Sequence, residues 1–279
     1  MERTPNGQTG ISGRGAGLRL VPKEHGASFM SVHALLLGTV AGLAAGGRDL
    51  VGLLLAVAFG ALFLPLAAAV TALSRPALAV RAKRRTAGLA TALAVAGVLA
   101  LWRGPAAQLL EVGGAGIVLG AAYAAARATK GARSTPAELA AIAGICLLAP
   151  GAWLLVAGAT ARWPLSGAAA FLAFGGTVPY VRERVRRRRF RELALRERLR
   201  GGLPALVWQA AVLLFAGAAA GVGLVGPLAA AAFLPGAAKT LGGILGPESR
   251  PPIRRIGYLE TAVSTAFALL AGIGLGSRF

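Results

Sequence analysis

A carboxylate and an imidazole stand side by side just before the first long apolar stretch of the chain, in the sequence Pro22-Lys23-Glu24-His25-Gly26. The types of these two side chains fit proton transfer near neutral pH, or the binding of a metal or an anionic headgroup. A structural interpretation competes with this one, because Glu24 and His25 also suit the first turn of a helix, where the helix dipole favours a glutamate. The pentapeptide alone leaves both interpretations open.

Further polar groups lie at the ends of later apolar stretches. Glu260 is the most informative, because an ionisable group just inside a membrane span is costly and usually has a partner. Its candidate partners are Lys239, Arg254 and Arg255. A structural ion pair that fixes helix register is the competing explanation. The sequence predicts one polar site at the cytoplasmic side, with arginines that bind an anionic small molecule or a lipid headgroup. Its predicted members are Glu24, His25, Tyr180, Arg182, Lys239, Arg254, Arg255 and Glu260.

Elements that cross a membrane must position these residues. Hydrophobic residues make up 56% of the 279-residue chain and charged residues 14%, which excludes an ordinary soluble domain. Apolar stretches of about 17 to 25 residues can cross the hydrocarbon core as helices. The sequence therefore predicts an all-α transmembrane bundle of about nine spans. The stretches run over 28–46, 49–73, 87–102, 108–126, 137–158, 164–181, 203–220, 222–238 and 258–275.

The basic residues predict the orientation of the bundle. With nine spans, 26 of the 30 Lys and Arg residues fall in alternate gaps between the apolar stretches. The four exceptions are Arg48, Arg103, Arg162 and Arg278. Because cytoplasmic loops carry the excess of Lys and Arg, the N-terminus is predicted to be cytoplasmic and the C-terminus outside.

Two segments differ from the bundle in composition. Residues 1–18 are rich in Gly, Thr and polar groups and are predicted to be a disordered tail, before a single transmembrane domain over 19–279. Residues 182–200 combine ten arginines with apolar residues at roughly helical spacing. They are predicted to form a basic amphipathic segment on the cytoplasmic surface, either as a helix or as a solvated connector.

The net charge of +20 fits the lipid bilayer as a partner, through its anionic cytoplasmic leaflet. The basic residues are dispersed among membrane gaps, so nucleic acid is not expected as a partner. Asp49 is the only aspartate and Cys146 the only cysteine, so no metal site is predicted and the sequence identifies no cofactor.

Three motifs together resemble a known family. These are Val21 to Ala27 before the first span, Tyr180-Val181-Arg182 after the sixth, and Arg254 to Glu260 entering the last. They resemble the YwiC-like family of bacterial multi-pass membrane proteins, which implies a place in the bacterial cytoplasmic membrane and no defined activity. This chain has Ser28 where the family's motif has an aromatic residue after His-Gly-Ala.

The architecture is also loosely similar to UbiA-type prenyltransferases, whose catalytic loops follow the second and sixth spans. That similarity implies a prenyl or lipid-phosphate transferase, although the paired Asp-rich motifs of that family have no match here. A transporter is the other alternative. The sequence leaves open whether the chain is an enzyme.

Overall fold

The computed structural model describes residues 25–72, 79–131, 134–187, 193–246 and 253–277. These residues form twelve helices and contain no strand, which confirms the predicted all-α class. The helices are α1 (His25–Ala44), α2 (Leu50–Ala72), α3 (Ala79–Arg103), α4 (Ala106–Lys130), α5 (Thr135–Cys146), α6 (Leu148–Ala157), α7 (Trp163–Gly175), α8 (Thr177–Arg187), α9 (Leu195–Gly221), α10 (Pro227–Ala231), α11 (Leu234–Leu245) and α12 (Ile253–Gly276). The predicted tail over 1–18 lies outside the described residues.

Three of the long helical rods are interrupted. The rod of α5 and α6 breaks at Leu147, that of α7 and α8 at Gly176, and that of α10 and α11 at 232–233. In each case the second helix has a proline within its first turn, Pro150, Pro179 or Pro235. Proline has no N–H to donate to the preceding turn, so the ladder of backbone hydrogen bonds is lost at these points.

With each interrupted pair taken as one rod, the described residues form nine rods at the positions of the nine predicted spans. Seven of them are long and apolar enough to cross a membrane. In the first two rods the apolar helical parts are shorter, at Phe29–Ala44 and Leu50–Phe63. The chain is therefore a multi-pass helical membrane protein, whose number of crossings and orientation stay predictions.

The rods meet through small residues. α1 packs between α6 and α12, with Leu37, Trp153 and Phe267 in the same buried core. At Gly38 of α1 the backbone of α6 comes so close that an added Cβ would overlap the carbonyl group of Ala149. Inside lipid, such close approach supplies packing that the hydrophobic effect cannot. By contrast, α4 buries none of its residues and lies at the periphery.

One end of the bundle holds few cations. There Asp49 immediately precedes α2, and its Oδ1 accepts hydrogen bonds from the backbone N–H of Val51 at 3.0 Å and of Gly52 at 3.1 Å. The hydrogen bond from Gly52, with help from the guanidinium of Arg103 at 3.5 Å, holds the pKa of the Asp49 carboxyl below its usual value. Asp49 is thus an ordinary N-cap of a helix.

The opposite end, which we call the basic end, holds the start of α5, the end of α8, the start of α9 and the end of α11. Arg182 of α8 lies 3.1 Å from Glu138 of α5, and Arg198 of α9 donates to the carbonyl of Leu245 at 2.6 Å. Rods that follow one another along the chain therefore run in opposite directions, and cations collect at the end where the positive-inside pattern predicts them.

The rods reach further into the basic end than the sequence predicted. The sixth was expected to finish at 181 and the eighth at 238, but α8 continues to Arg187 and α11 to Leu245. Lys239 is consequently inside a helix and does not leave one. Of the predicted basic segment, residues 182–187 belong to α8 and residues 195–200 to α9, and residues 193–194 are not helical. The reason is tertiary, because arginines of this segment pack inward.

Candidate functional site

A buried ion pair joins α11 to α12 near the basic end. Nζ of Lys239 lies 2.7 Å from Oε2 of Glu260. The side chains are only 7% and 16% exposed, so little water screens the pair. Of the three partners that the sequence proposed for Glu260, the structure shows Lys239. The side chains of the other two, Arg254 and Arg255, lie outside the described part of the chain.

Tyr180 of α8 adds an aromatic wall to this pair. Nζ of Lys239 is 4.9 Å from the centre of the Tyr180 ring, within range of a cation–π interaction. Gly243 makes room for the phenol, because a Cβ at that position would lie 2.5 Å from the tyrosine hydroxyl. The absence of a side chain at Gly243 therefore lets α8 and α11 approach and brings Tyr180 to Lys239.

Two cavities meet at the ion pair. The first, which we call the basic-end cavity, has a volume of about 240 Å³. Its lining includes Tyr180, Arg184, Lys239, Gly242, Gly243 and Glu260. The second, which we call the inner cavity, has a volume of about 30 Å³, room for about one water molecule. Its polar lining is formed by Thr177, Gln209, Lys239, Thr240, Glu260 and Ser264. Lys239 and Glu260 line both cavities and so stand between them.

Two residues that line the basic-end cavity each have a polar atom without a partner among the described residues. Oε1 of Glu260 is shielded from solvent and accepts no hydrogen bond, although Oε2 binds Lys239. Nε of Arg184 is likewise shielded and donates to no described group, although Nη1 donates to the carbonyl of Gly243 at 2.8 Å. Buried polar groups are normally hydrogen-bonded, so these two atoms call for a ligand or ordered water.

A second cluster at the basic end was missed by the sequence analysis. Glu183 is buried, and its Oε1 accepts a hydrogen bond from Nε of Arg187 at 2.8 Å, while its Oε2 accepts one from Nε of Arg186 at 2.7 Å. Arg187 also donates through Nη1 to the carbonyl of Ile244 at 2.9 Å. The carbonyls at the end of a helix have no partner within it and carry partial negative charge, so guanidinium groups stabilise the end of α11.

This arginine role could not be read from the sequence. Arg184, Arg187 and Arg198 all donate to carbonyls within 243–246. The only signal was their density beside Glu183, which equally fits a solvated basic loop. The carbonyls that these arginines bind were not predicted to lie at a helix end, because α11 was expected to end before Gly242.

The predicted site residues are only partly brought together. Tyr180, Lys239 and Glu260 share the basic-end cavity. Arg182 does not line it, because Arg182 turns to α5, where Nη1 donates to the hydroxyl of Thr135 and Nη2 pairs with Glu138. Arg184, which the sequence analysis did not select, takes its place.

For the remaining predicted residues, the structure gives at most the position of the backbone in a helix. His25 begins α1, and Arg254 and Arg255 lie in the first turn of α12. The side chains of these three lie outside the described residues, as does Glu24. No group of three or more His, Cys, Asp or Glu that would hold a metal ion occurs among the described residues.

The model of the family described as YwiC-like protein matches residues 21–153. No curated protein and no solved structure matches the chain. The match includes the motif around Glu24 and His25 and the rods up to α6, whereas Tyr180, Lys239 and Glu260 lie beyond it. Over residues 21–153 the chain is similar to the YwiC-like family.

Proposed function

We propose that this membrane protein binds an anionic small molecule or lipid headgroup in the basic-end cavity. The observation that carries the proposal is the cavity of about 240 Å³ lined by Arg184 and Lys239 with Glu260 as the one described carboxylate. Two cations against one carboxylate leave an excess of positive charge in a place with little water, where an anion is attracted strongly. Tyr180 adds a hydroxyl beside them.

The packing of α1 against α12 supports a place for His25 near this cavity. Nε2 of His33 lies 2.9 Å from Oγ1 of Thr265, and an added Cβ at Gly272 would meet the side chain of Val40. Both contacts join residues 232 positions apart, so the two helices run parallel in one register. Followed back to the start of α1, that register puts the backbone of His25 level with Gly257, less than one turn before Glu260.

The basic end is proposed to face the cytoplasm of a bacterial cell across its cytoplasmic membrane. The support is the collection of cations at that end, which would lie against the anionic leaflet. In this orientation the cavity takes its ligand from the cytoplasm or from the inner leaflet.

The test uses a soluble and a lipid probe on purified protein. We expect inorganic phosphate to give saturable binding in calorimetry, or phosphatidic acid to be retained in native mass spectrometry. Arg184→Gln should weaken that binding by about tenfold or more, since a hydrogen bond from a charged group is lost. Arg196→Gln, an exposed arginine of α9 outside the cavity, is the control and should bind like the wild type. Absence of binding for both probes would refute the proposal.

A transporter is the second candidate, because two interrupted rods meet at the inner cavity. Gly176 and Thr177 at the break of α7 and α8, and Ala232 and Phe233 at the break of α10 and α11, all line it. Transporters use discontinuous helices of this kind to bind substrates and coupling ions. Uptake of radiolabelled phosphate by proteoliposomes would support transport, and binding without uptake would favour a binding role.

The prenyl or lipid-phosphate transferase is not proposed. A magnesium ion that carries a diphosphate is usually held by carboxylates together with the phosphates. Among the described residues, Glu260 is the only carboxylate that lines the basic-end cavity, and one of its oxygens is committed to Lys239.

A further inference from the structure

The two unpartnered atoms of the basic-end cavity have opposite chemistry. Oε1 of Glu260 can only accept hydrogen bonds while the carboxylate is charged, and Nε of Arg184 can only donate. Both residues line the same cavity, and Arg184 is just 8% exposed. An anion that has no N–H or O–H donor would satisfy Arg184 and leave the acceptor on Glu260 unfilled. A complementary ligand carries an acceptor and a donor together.

Two of the polar contacts beside these atoms are already formed. Lys239 donates to Oε2 of Glu260, and Nη1 of Arg184 donates to the carbonyl of Gly243. Rearranging either contact to reach the free atoms would break a buried hydrogen bond, which is unfavourable. The unfilled positions are therefore built into the arrangement of α8, α11 and α12.

We propose that the ligand is zwitterionic, with a phosphate or carboxylate on Arg184 and an ammonium group that donates to Glu260. This inference rests on the proposed function, because it adds the ammonium to the anion already assigned to the cavity. The ammonium must carry N–H donors, since Oε1 needs a hydrogen bond and not charge alone. A quaternary ammonium does not meet that requirement. The same chemistry occurs in the headgroup of an ethanolamine phospholipid and in a free phosphoethanolamine or amino acid.

The first experiment compares ligands on the wild-type protein, so it does not depend on any variant that must fold. Phosphoethanolamine, phosphocholine and inorganic phosphate are titrated by calorimetry. We expect phosphoethanolamine to bind at least about tenfold more tightly than the other two, because only it brings a positively charged N–H donor to the Glu260 carboxylate. In a parallel arm, native mass spectrometry of protein from mixed bicelles should retain phosphatidylethanolamine over phosphatidylcholine. Preference in the first arm identifies a soluble ligand, and preference in the second arm alone identifies a lipid.

The second experiment tests whether Glu260 is responsible for the preference for phosphoethanolamine over phosphate. Glu260→Gln keeps a hydrogen-bonding partner for Lys239 but removes the negative charge, so we expect the preference for phosphoethanolamine over phosphate to fall to near unity. Glu138→Gln is the matched control, because Glu138 is a carboxylate at the basic end that pairs with Arg182 outside the cavity. Its preference should equal that of the wild type.

The outcomes separate the two proposals. Equal binding of all probes that carry phosphate would show that water fills the position on Glu260, and would refute the zwitterion while the anion site stands. An ethanolamine preference that survives in Glu260→Gln would also refute it. Lack of binding by every probe, soluble and lipid, would remove the anion site itself and the zwitterion with it.

Discussion

Replacing Arg187 by Met should destabilise the bundle far more than the same change at its neighbour Arg186. The Arg187 side chain is 2% exposed and connects three helices. Its Nε donates to Glu183 at 2.8 Å, and its Nη2 donates to the carbonyl of Arg198 at 2.9 Å. Its Nη1 donates to the carbonyls of 243 and 244 at the end of α11. Met keeps the approximate volume and removes every one of these donors.

The expected loss of stability follows from the burial of the Arg187 and Glu183 side chains. Removing one member of a buried ion pair costs about 3–5 kcal/mol, because the other charge stays buried and the freed carbonyls lose a donor. In Arg187→Met, Glu183 keeps only Arg186 as a partner. The Arg186 side chain is 46% exposed, so Arg186→Met should cost about 0–1 kcal/mol, as exposed pairs do. Arg187→Lys should recover only part of the loss, because an ammonium cannot reach four acceptors in the planar pattern of a guanidinium.

The measurement is thermal unfolding of the purified protein in detergent, followed by tryptophan fluorescence. At about 2–4 °C per kcal/mol, Arg187→Met should lower Tm by about 6–20 °C. Arg186→Met should stay within about 4 °C of the wild type. Equal shifts for the two Met variants would refute the argument that Arg187 stabilises the end of α11 from a buried position.

Three other substitutions probe separate parts of the fold. Asp49→Ala should lower Tm at neutral pH, and this effect should shrink below about pH 4. The reason is that a carboxyl whose folded pKa is depressed contributes stability above its unfolded pKa and loses that contribution as pH falls. An effect on Tm that is independent of pH would contradict the role of Asp49 as a cap. Gly38→Ala should lower the stability by about 1–3 kcal/mol, because the added methyl group would overlap with α6. Gly113→Ala should be neutral or stabilising, because nothing lies within 4 Å of an added Cβ there. A lower Tm for Gly113→Ala than for Gly38→Ala would contradict the close approach of α1 and α6. Trp208→Phe should lower the stability by about 1 kcal/mol, because phenylalanine lacks the indole N–H that donates to a backbone carbonyl of α7 at 2.8 Å. An unchanged Tm would argue against that hydrogen bond.

Much of the architecture could be predicted from local sequence. Long apolar stretches become helices because hydrocarbon offers no partner to backbone N–H and C=O groups. The breaks in the rods were not predictable from proline alone, because Pro65 and Pro204 lie inside unbroken helices whereas the prolines at 150, 179 and 235 lie just after a break. The ends of the helices were predicted less well. Charged residues such as Lys239 and Arg184 are typical of loops, and only their tertiary contacts place them inside helices.

The candidate site was predicted in outline. Glu260 was expected to have a basic partner, and of its three candidates Arg254 and Arg255 are much nearer in sequence than Lys239. The choice of Lys239 depends on how α11 is rotated against α12, and the inward turn of Arg184 depends on where α11 ends. The family match includes Glu24 and His25 but ends before these residues.

The sequence by itself determined a multi-pass helical protein with its cations at one end, because burying charge and unpaired backbone in lipid is costly wherever the chain folds. It also determined that Glu260 needs a partner. Only the tertiary structure decided which arginines turn inward and which two atoms stay unpartnered in the cavity. The physical reason is that most of the long helices are apolar on nearly every side, so their sequences do not specify which face meets a neighbour. Close packing of small residues sets that rotation.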